Sequence, residues 1–173
     1  MRLIVAISGA SGIELAKRFL EHLPNSVEPI VIVSDSAKVV MKSEKIKEIK
    51  YDKDIAANVA SGSYKCDAMI VLPCSTNTLA KIACGIADNL TTRAASVMLK
   101  ERRKLILSVR EMPLSTIALE NMVKLSTLNV IIAPPIVAYY SKPKSLEEME
   151  RFLVGKLYDL LDIEHKLFKR WGE

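Results

Sequence analysis

Apolar runs rich in β-branched residues recur along the chain at positions 3–7, 30–33, 68–72, 105–109 and 130–133. Apart from Ser108, each is apolar at successive positions rather than alternate ones, the pattern of a parallel strand buried on both faces. Between these runs the spacing changes to a three-and-four repeat. Positions 12–23 carry Ile13, Ala16, Phe19, Leu20 and Leu23, and positions 36–41, 78–87, 92–100, 116–125 and 146–161 follow the same rule. The alternation predicts repeated β/α units and a doubly wound parallel sheet. At 173 residues the chain is long enough for one well-buried core, so a single domain over 1–173 is expected. Positions 60–64 read as a surface loop, and 165–173 as a partly ordered extension after the last helix.

Composition narrows the class. The net charge is +5, but most cations alternate with acids, as in Lys42-Ser43-Glu44-Lys45-Ile46-Lys47-Glu48, the composition of a solvated face. Only Lys100-Glu101-Arg102-Arg103-Lys104 is dense, and cations at a helix C-terminus answer the macrodipole. No aromatic residues interleave with that block, so a nucleic-acid partner is not expected. Cys66, Cys74 and Cys84 have no C-x-x-C spacing, and His22 and His165 stand far from them. This reads as reduced thiols in a cytoplasmic protein with no metal site. The first apolar run stops at Ser8-Gly9, too early for a signal peptide, and no run is long enough to span a membrane.

In open parallel sheets ligands bind beyond the carboxyl ends of the strands. The five exits read Ser8-Gly9-Ala10-Ser11-Gly12, Ser34-Asp35-Ser36, Pro73 to Thr78, Arg110-Glu111 and Pro134-Pro135. Small donors, hydroxyls and an Arg–Glu pair therefore collect on one rim. One such exit is ordinary turn chemistry; four in register point to a ligand bearing oxygens. The glycine turn at the first exit leads into a helix whose amides could hold phosphate, the alternative being a capped β–α turn. Its spacing matches neither the dinucleotide fingerprint nor the P-loop. Arg93 and Lys100, seven residues apart, share a helix face. They read either as solvated surface or as cations pointing at the same rim and holding two phosphates.

These stretches, with Ala87-Asp88-Asn89-Leu90, Leu99-Lys100-Glu101-Arg102-Arg103, Val109-Arg110-Glu111-Met112-Pro113-Leu114, Leu119-Glu120-Asn121-Met122, Tyr139-Tyr140 and Arg170-Trp171-Gly172, resemble the UbiX-like flavin prenyltransferases over nearly the whole chain. The resemblance implies a flavodoxin-like/Rossmann-like fold of three layers, α/β/α. It implies an enzyme that joins a dimethylallyl group from dimethylallyl phosphate to N5 and C6 of reduced FMN. The prenylated FMN so made would serve a UbiD-type decarboxylase, and the protein would be a homododecamer. Position by position, Gly9, Ala10, Ser11, Ser34, Ser75, Thr76, Asn77, Thr78 and Arg93 match FMN-binding positions. Lys100, Arg110, Tyr140 and Lys156 match residues that grip the prenyl phosphate, and Trp171 matches a tryptophan near the site. Glu44 and Glu111 match acids near the reacting ends, and Ser11 a serine near the flavin N5. Lys156 stands where many relatives carry arginine, and Tyr140-Ser141 replaces a common Tyr-His.

The chemistry agrees with that assignment. Cleaving an allylic C–O bond builds negative charge on the leaving phosphate, which a fixed cation cluster stabilises without a metal. Three alternatives stand beside it. A flavin-dependent cysteine decarboxylase of the same fold class would need a suitably placed histidine, and neither His22 nor His165 is so placed. Direct decarboxylation of aromatic acids would need a pocket that desolvates a carboxylate. A non-catalytic flavin carrier would bind FMN and hand it on.

Overall fold

The computed structural model describes residues 1–47, 49, 57–170 and 172. Five strands, β1 (Arg2–Ile7), β2 (Glu28–Val33), β3 (Ala68–Cys74), β4 (Lys104–Val109) and β5 (Ile131–Ile132), form one sheet in the order β2-β1-β3-β4-β5, every pairing parallel. Among the described residues six α-helices flank it: α1 (Ile13–Glu21), α2 (Asp35–Ser43), α3 (Thr76–Ala83), α4 (Leu90–Lys100), α5 (Thr116–Ser126) and α6 (Leu146–Leu160). A 3₁₀ turn, Tyr139–Ser141, precedes α6.

The continuous apolar runs are explained by burial on both sides. Leu3, Val5, Ile7, Ile70, Leu72 and Ile106 meet Phe19 of α1, Met41 of α2 and Val154 and Tyr158 of α6. Ile4, Ala6, Met69, Val71, Leu105 and Leu107 meet Leu79 of α3, Met98 of α4 and Leu125 of α5. This is the flavodoxin-like, three-layered α/β fold. The ends of the elements follow their caps. The helix predicted over 78–87 begins instead at Thr76, because the Ser75 side chain accepts the Thr78 amide, and it stops at Cys84 before Gly85 at φ 72°. The helix predicted from Thr92 begins at Leu90, started by a reciprocal capping box between Asn89 and Thr92. The strand predicted over 130–133 pairs only at Ile131 and Ile132, as the Pro134-Pro135 pair that follows has no amide to add to a ladder.

One buried polar contact ties α6 to α1. The Tyr158 hydroxyl donates to the Phe19 carbonyl, one of the acceptors left over at the end of α1, and the two rings meet edge to face at 4.8 Å.

Candidate active site

The strand order reverses between β1 and β3, and the exits of those strands open the crevice where a sheet of this kind takes its ligand. Ser8, 1% exposed, fastens the two exits together. Its hydroxyl donates to the Pro73 carbonyl at 2.8 Å and accepts the Ser75 amide at 2.8 Å. The backbone continues the ladder on either side, with Ser34 N–H donating to Ile7 and Arg110 N–H to Cys74, each at 3.0 Å. The glycine turn, Ser34, Ser75 to Thr78 and Arg110 are thereby held on one rim.

Three helices start on that rim. α2 is capped by Ser34, whose side chain accepts the Ala37 amide at 3.1 Å, and α3 by Ser75, whose hydroxyl donates to Thr78 Oγ1 at 3.0 Å. At α1 no side chain caps the helix; Gly12 occupies the cap position with φ 99°, a conformation that favours glycine. The Leu15 amide turns back onto the Gly12 carbonyl at 3.1 Å, and the Ile13 and Glu14 amides at the start of α1 are left for another acceptor. Gly9 is required by contact: a Cβ there would stand 2.5 Å from Ser36 Cβ and 2.6 Å from its Oγ. Uncapped amides, a backbone brought close by Gly9 and a row of hydroxyls form a cradle that suits a phosphate and a flat polar ring.

Sequence and structure relatives bear directly on this cradle. Residues 1–165 match the family model described as Flavoprotein. The flavin prenyltransferase UbiX of Helicobacter pylori is 49% identical, with 99% of each chain covered. The chain belongs to the UbiX flavin prenyltransferase family. Among solved structures, AnUbiX in complex with FMN and dimethylallyl pyrophosphate superposes with a TM-score of 0.91 at 39% identity, covering 99% of this chain and 97% of its own. A dodecameric FMN-dependent UbiX-like decarboxylase from Escherichia coli O157:H7 gives 0.89 at 40% identity, over the whole of both chains. The peptidyl-cysteine decarboxylase EpiD, at 22% identity and a TM-score of 0.61, shares the fold alone.

Against that family, the residues expected at the site fall into two groups. Gly9, Ala10, Ser11, Ser34, Ser75, Thr76, Asn77, Thr78 and Arg110 lie together on the rim. Arg93 and Lys100 share a face of α4, as their spacing predicts, but that face looks along the 60–64 loop and not at the chain's own rim. Arg93 Nε donates to the Ala60 carbonyl at 3.3 Å, while a Cβ on Gly62 would meet Lys100 Nζ at 2.6 Å. The reason is direction: α4 runs antiparallel to the strands, so its last residue lies about 15 Å from its first, at the opposite end of the sheet. Glu44 likewise closes the far end of α2, exposed and about 15 Å from Ser34.

The Arg110–Glu111 pair is not an ion pair in this chain. Among the described residues no salt bridge joins them; Glu111 Oε1 accepts the Met112 amide at 3.1 Å. Successive residues leaving a strand point to opposite sides, which separates the two charges. Tyr140 and Lys156 line a cavity of about 400 Å³ beside β5, whose remaining walls include Ile132, Ala133, Pro134 and Phe152. Trp171 lies outside the described residues. Ser8 stands in the first exit but carries no role in the sequence alone, because a serine at a strand end reads as turn chemistry, and Asp159 carries none because one carboxylate in a helix makes no motif.

Proposed function

We propose that this chain is a flavin prenyltransferase that binds reduced FMN in the cradle at the β1/β3 crevice and joins to its N5 and C6 a dimethylallyl group from dimethylallyl phosphate. The observation that carries the reading is the cradle itself: an uncapped α1, the close approach at Gly9 and the Ser34 and Ser75–Thr78 hydroxyls. In this reading Gly9, Ala10, Ser11, Ser34 and Ser75 to Thr78 hold the flavin, which supplies the electron-rich ring for the new bonds. The cavity beside β5 takes the donor, its apolar walls suiting a five-carbon prenyl chain and Tyr140 and Lys156 its phosphate. Arg110 and Lys100 stabilise charge building on the departing phosphate, Glu111 and Glu44 hold or release protons near the reacting atoms, and Ser11 stands near N5.

A single chain separates these parts. β5 lies two strands from β3, about 10 Å, and Lys100 at the opposite end of the sheet. We infer that a neighbouring subunit brings Lys100, Arg93 and the donor cavity to the flavin, in a dodecamer like that of the relative from Escherichia coli. Exposed apolar side chains support an extensive interface, among them Met112, Ile117, Val123, Ile136, Tyr139 and Leu146. The product, prenylated FMN, passes to a UbiD-type decarboxylase. Three free cysteines suit the reducing cytoplasm, and among the described residues no helix is long and apolar enough to cross a membrane.

The test is anaerobic. Incubated with reduced FMN and dimethylallyl phosphate, the protein should release a flavin heavier by one five-carbon prenyl unit, and should do so in the presence of a metal chelator. Recovery of unmodified FMN would favour a flavin carrier instead.

A further inference from the structure

The C-terminal tail reaches both residues assigned to the donor phosphate, by two separate routes. It crosses α6 at Gly155, where a Cβ would stand 2.5 Å from Phe168 Cδ1 and 2.8 Å from His165 Cε1. Only a glycine leaves the tail room there. Phe168 then packs on Phe152 with ring centroids 4.9 Å apart, and Phe152 meets Tyr140 edge on at 5.5 Å. That is the first route, through rings.

The second runs through one carboxylate. Asp159 Oδ1 accepts from Arg170 Nη2 at 2.9 Å and from His165 Nε2 at 3.1 Å, while Oδ2 lies 3.8 Å from Lys156 Nζ. His165, its side chain 5% exposed, accepts the Leu167 amide on Nδ1 at 3.2 Å, which leaves Nε2 to donate to Asp159. Lysine carries its charge on a flexible four-carbon stem, so a carboxylate one turn along the helix restricts where that charge can go. Because Arg170 also engages Asp159, the carboxylate does not cancel Lys156, which keeps its charge for an incoming anion.

We propose that Asp159 and Phe168 are positioning residues for the prenyl donor, the tail setting the place of Lys156 through the carboxylate and of Tyr140 through the rings. This rests on the donor-binding reading of Lys156 and Tyr140 given above. Asp159 and Phe168 thus act on the donor through Lys156 and Tyr140.

Steady-state kinetics with dimethylallyl phosphate and reduced FMN, alongside FMN titration, separate the two ideas. Lys156→Ala tests the reading itself and should raise the donor KM by roughly thirtyfold. Asp159→Asn and Phe168→Leu should each raise it about three- to tenfold, with kcat and FMN affinity within about twofold of the parent. Asp159→Glu should recover most of the loss, and Asp159→Asn should add nothing when Lys156 is already alanine. An unchanged donor KM in Lys156→Ala overturns the donor reading and the positioning role with it. A raised KM in Lys156→Ala but not in Asp159→Asn overturns the positioning role alone, as do additive effects in the double variant. Equal losses in kcat, donor KM and FMN affinity would make Asp159 merely structural, and that too overturns it. If Asp159→Asn does not assemble, Phe168→Leu gives the same split through the ring route.

Discussion

Ser8 Oγ lies 2.8 Å from the Ser75 amide it accepts, and this one hydroxyl joins the exits of the two strands between which the sheet reverses. Ser8→Ala would leave the Ser75 amide without its acceptor, while the Pro73 carbonyl keeps the Ser8 amide at 3.3 Å. Chemical denaturation should show a loss of about 2 kcal/mol, the scale for an unsatisfied buried group. FMN titration should show weaker binding in parallel, since the cap of α3 moves with Ser75. A variant as stable as the parent would show that the exits are fixed by the ladder alone.

Arg110 and Glu111 make no ion pair, so their substitutions should fail independently. Arg110→Ala removes a cation from the rim and should lower kcat/KM for the donor roughly thirtyfold, a loss of about 2 kcal/mol. Glu111→Gln keeps size and hydrogen bonding but cannot accept a proton, so kcat should fall with KM little changed. The double variant should show additive losses, and strong coupling would mean that the charges do meet in the working enzyme.

The three thiols should differ in reactivity. Cys84 is exposed, whereas burial pushes the Cys74 thiol up to about 12 and raises that of Cys66 as well. Near neutral pH Cys74 is held as the unreactive thiol. A thiol reagent should therefore label one cysteine quickly and the other two only after denaturation, as mass mapping of the labelled peptides can show.

Asp159 makes stability depend on pH. Burial alone would raise its carboxyl, but hydrogen bonds from Arg170 and His165 outweigh that and hold it below the usual range. A depressed folded-state value contributes stability that is present above the unfolded value, about 3.9, and lost as pH falls through the folded one. Denaturant unfolding should show the parent more stable than Asp159→Asn at pH 7, with the gap closing below about pH 4. A gap that does not shrink at all as pH falls below about 4 would mean that packing, not charge, holds the tail.

The fold was legible because burial on both faces leaves an unmistakable mark: Leu3 to Ile7 are five apolar residues in succession, all buried. The rim was legible too, since exits of parallel strands share one edge by geometry. The helices at Thr76 and Leu90 start two residues before their spacing predicts, because caps at Ser75 and Asn89 look like loop residues until their side chains turn back onto the amides. The position of Lys100 was not legible. Seven-residue spacing to Arg93 reports a shared face and says nothing of which end of the sheet that face reaches. Asp159 was invisible for a similar reason, as its partners lie 6 and 11 residues away on a tail whose path no periodicity encodes.

The uncapped start of α1 bears on how this protein can vary. An anchor made of main-chain amides does not titrate and is not encoded by any one codon, so pH dependence of flavin affinity near neutrality should come from the flavin phosphate, whose second pKa is about 6, and not from this end of the protein. Ala10 could drift among small residues with little loss. Gly9 and Gly12 could not, one for want of space beside Ser36 and the other for its left-handed backbone. Selection at this end of the molecule would then act less on functional groups than on the absence of a single carbon atom.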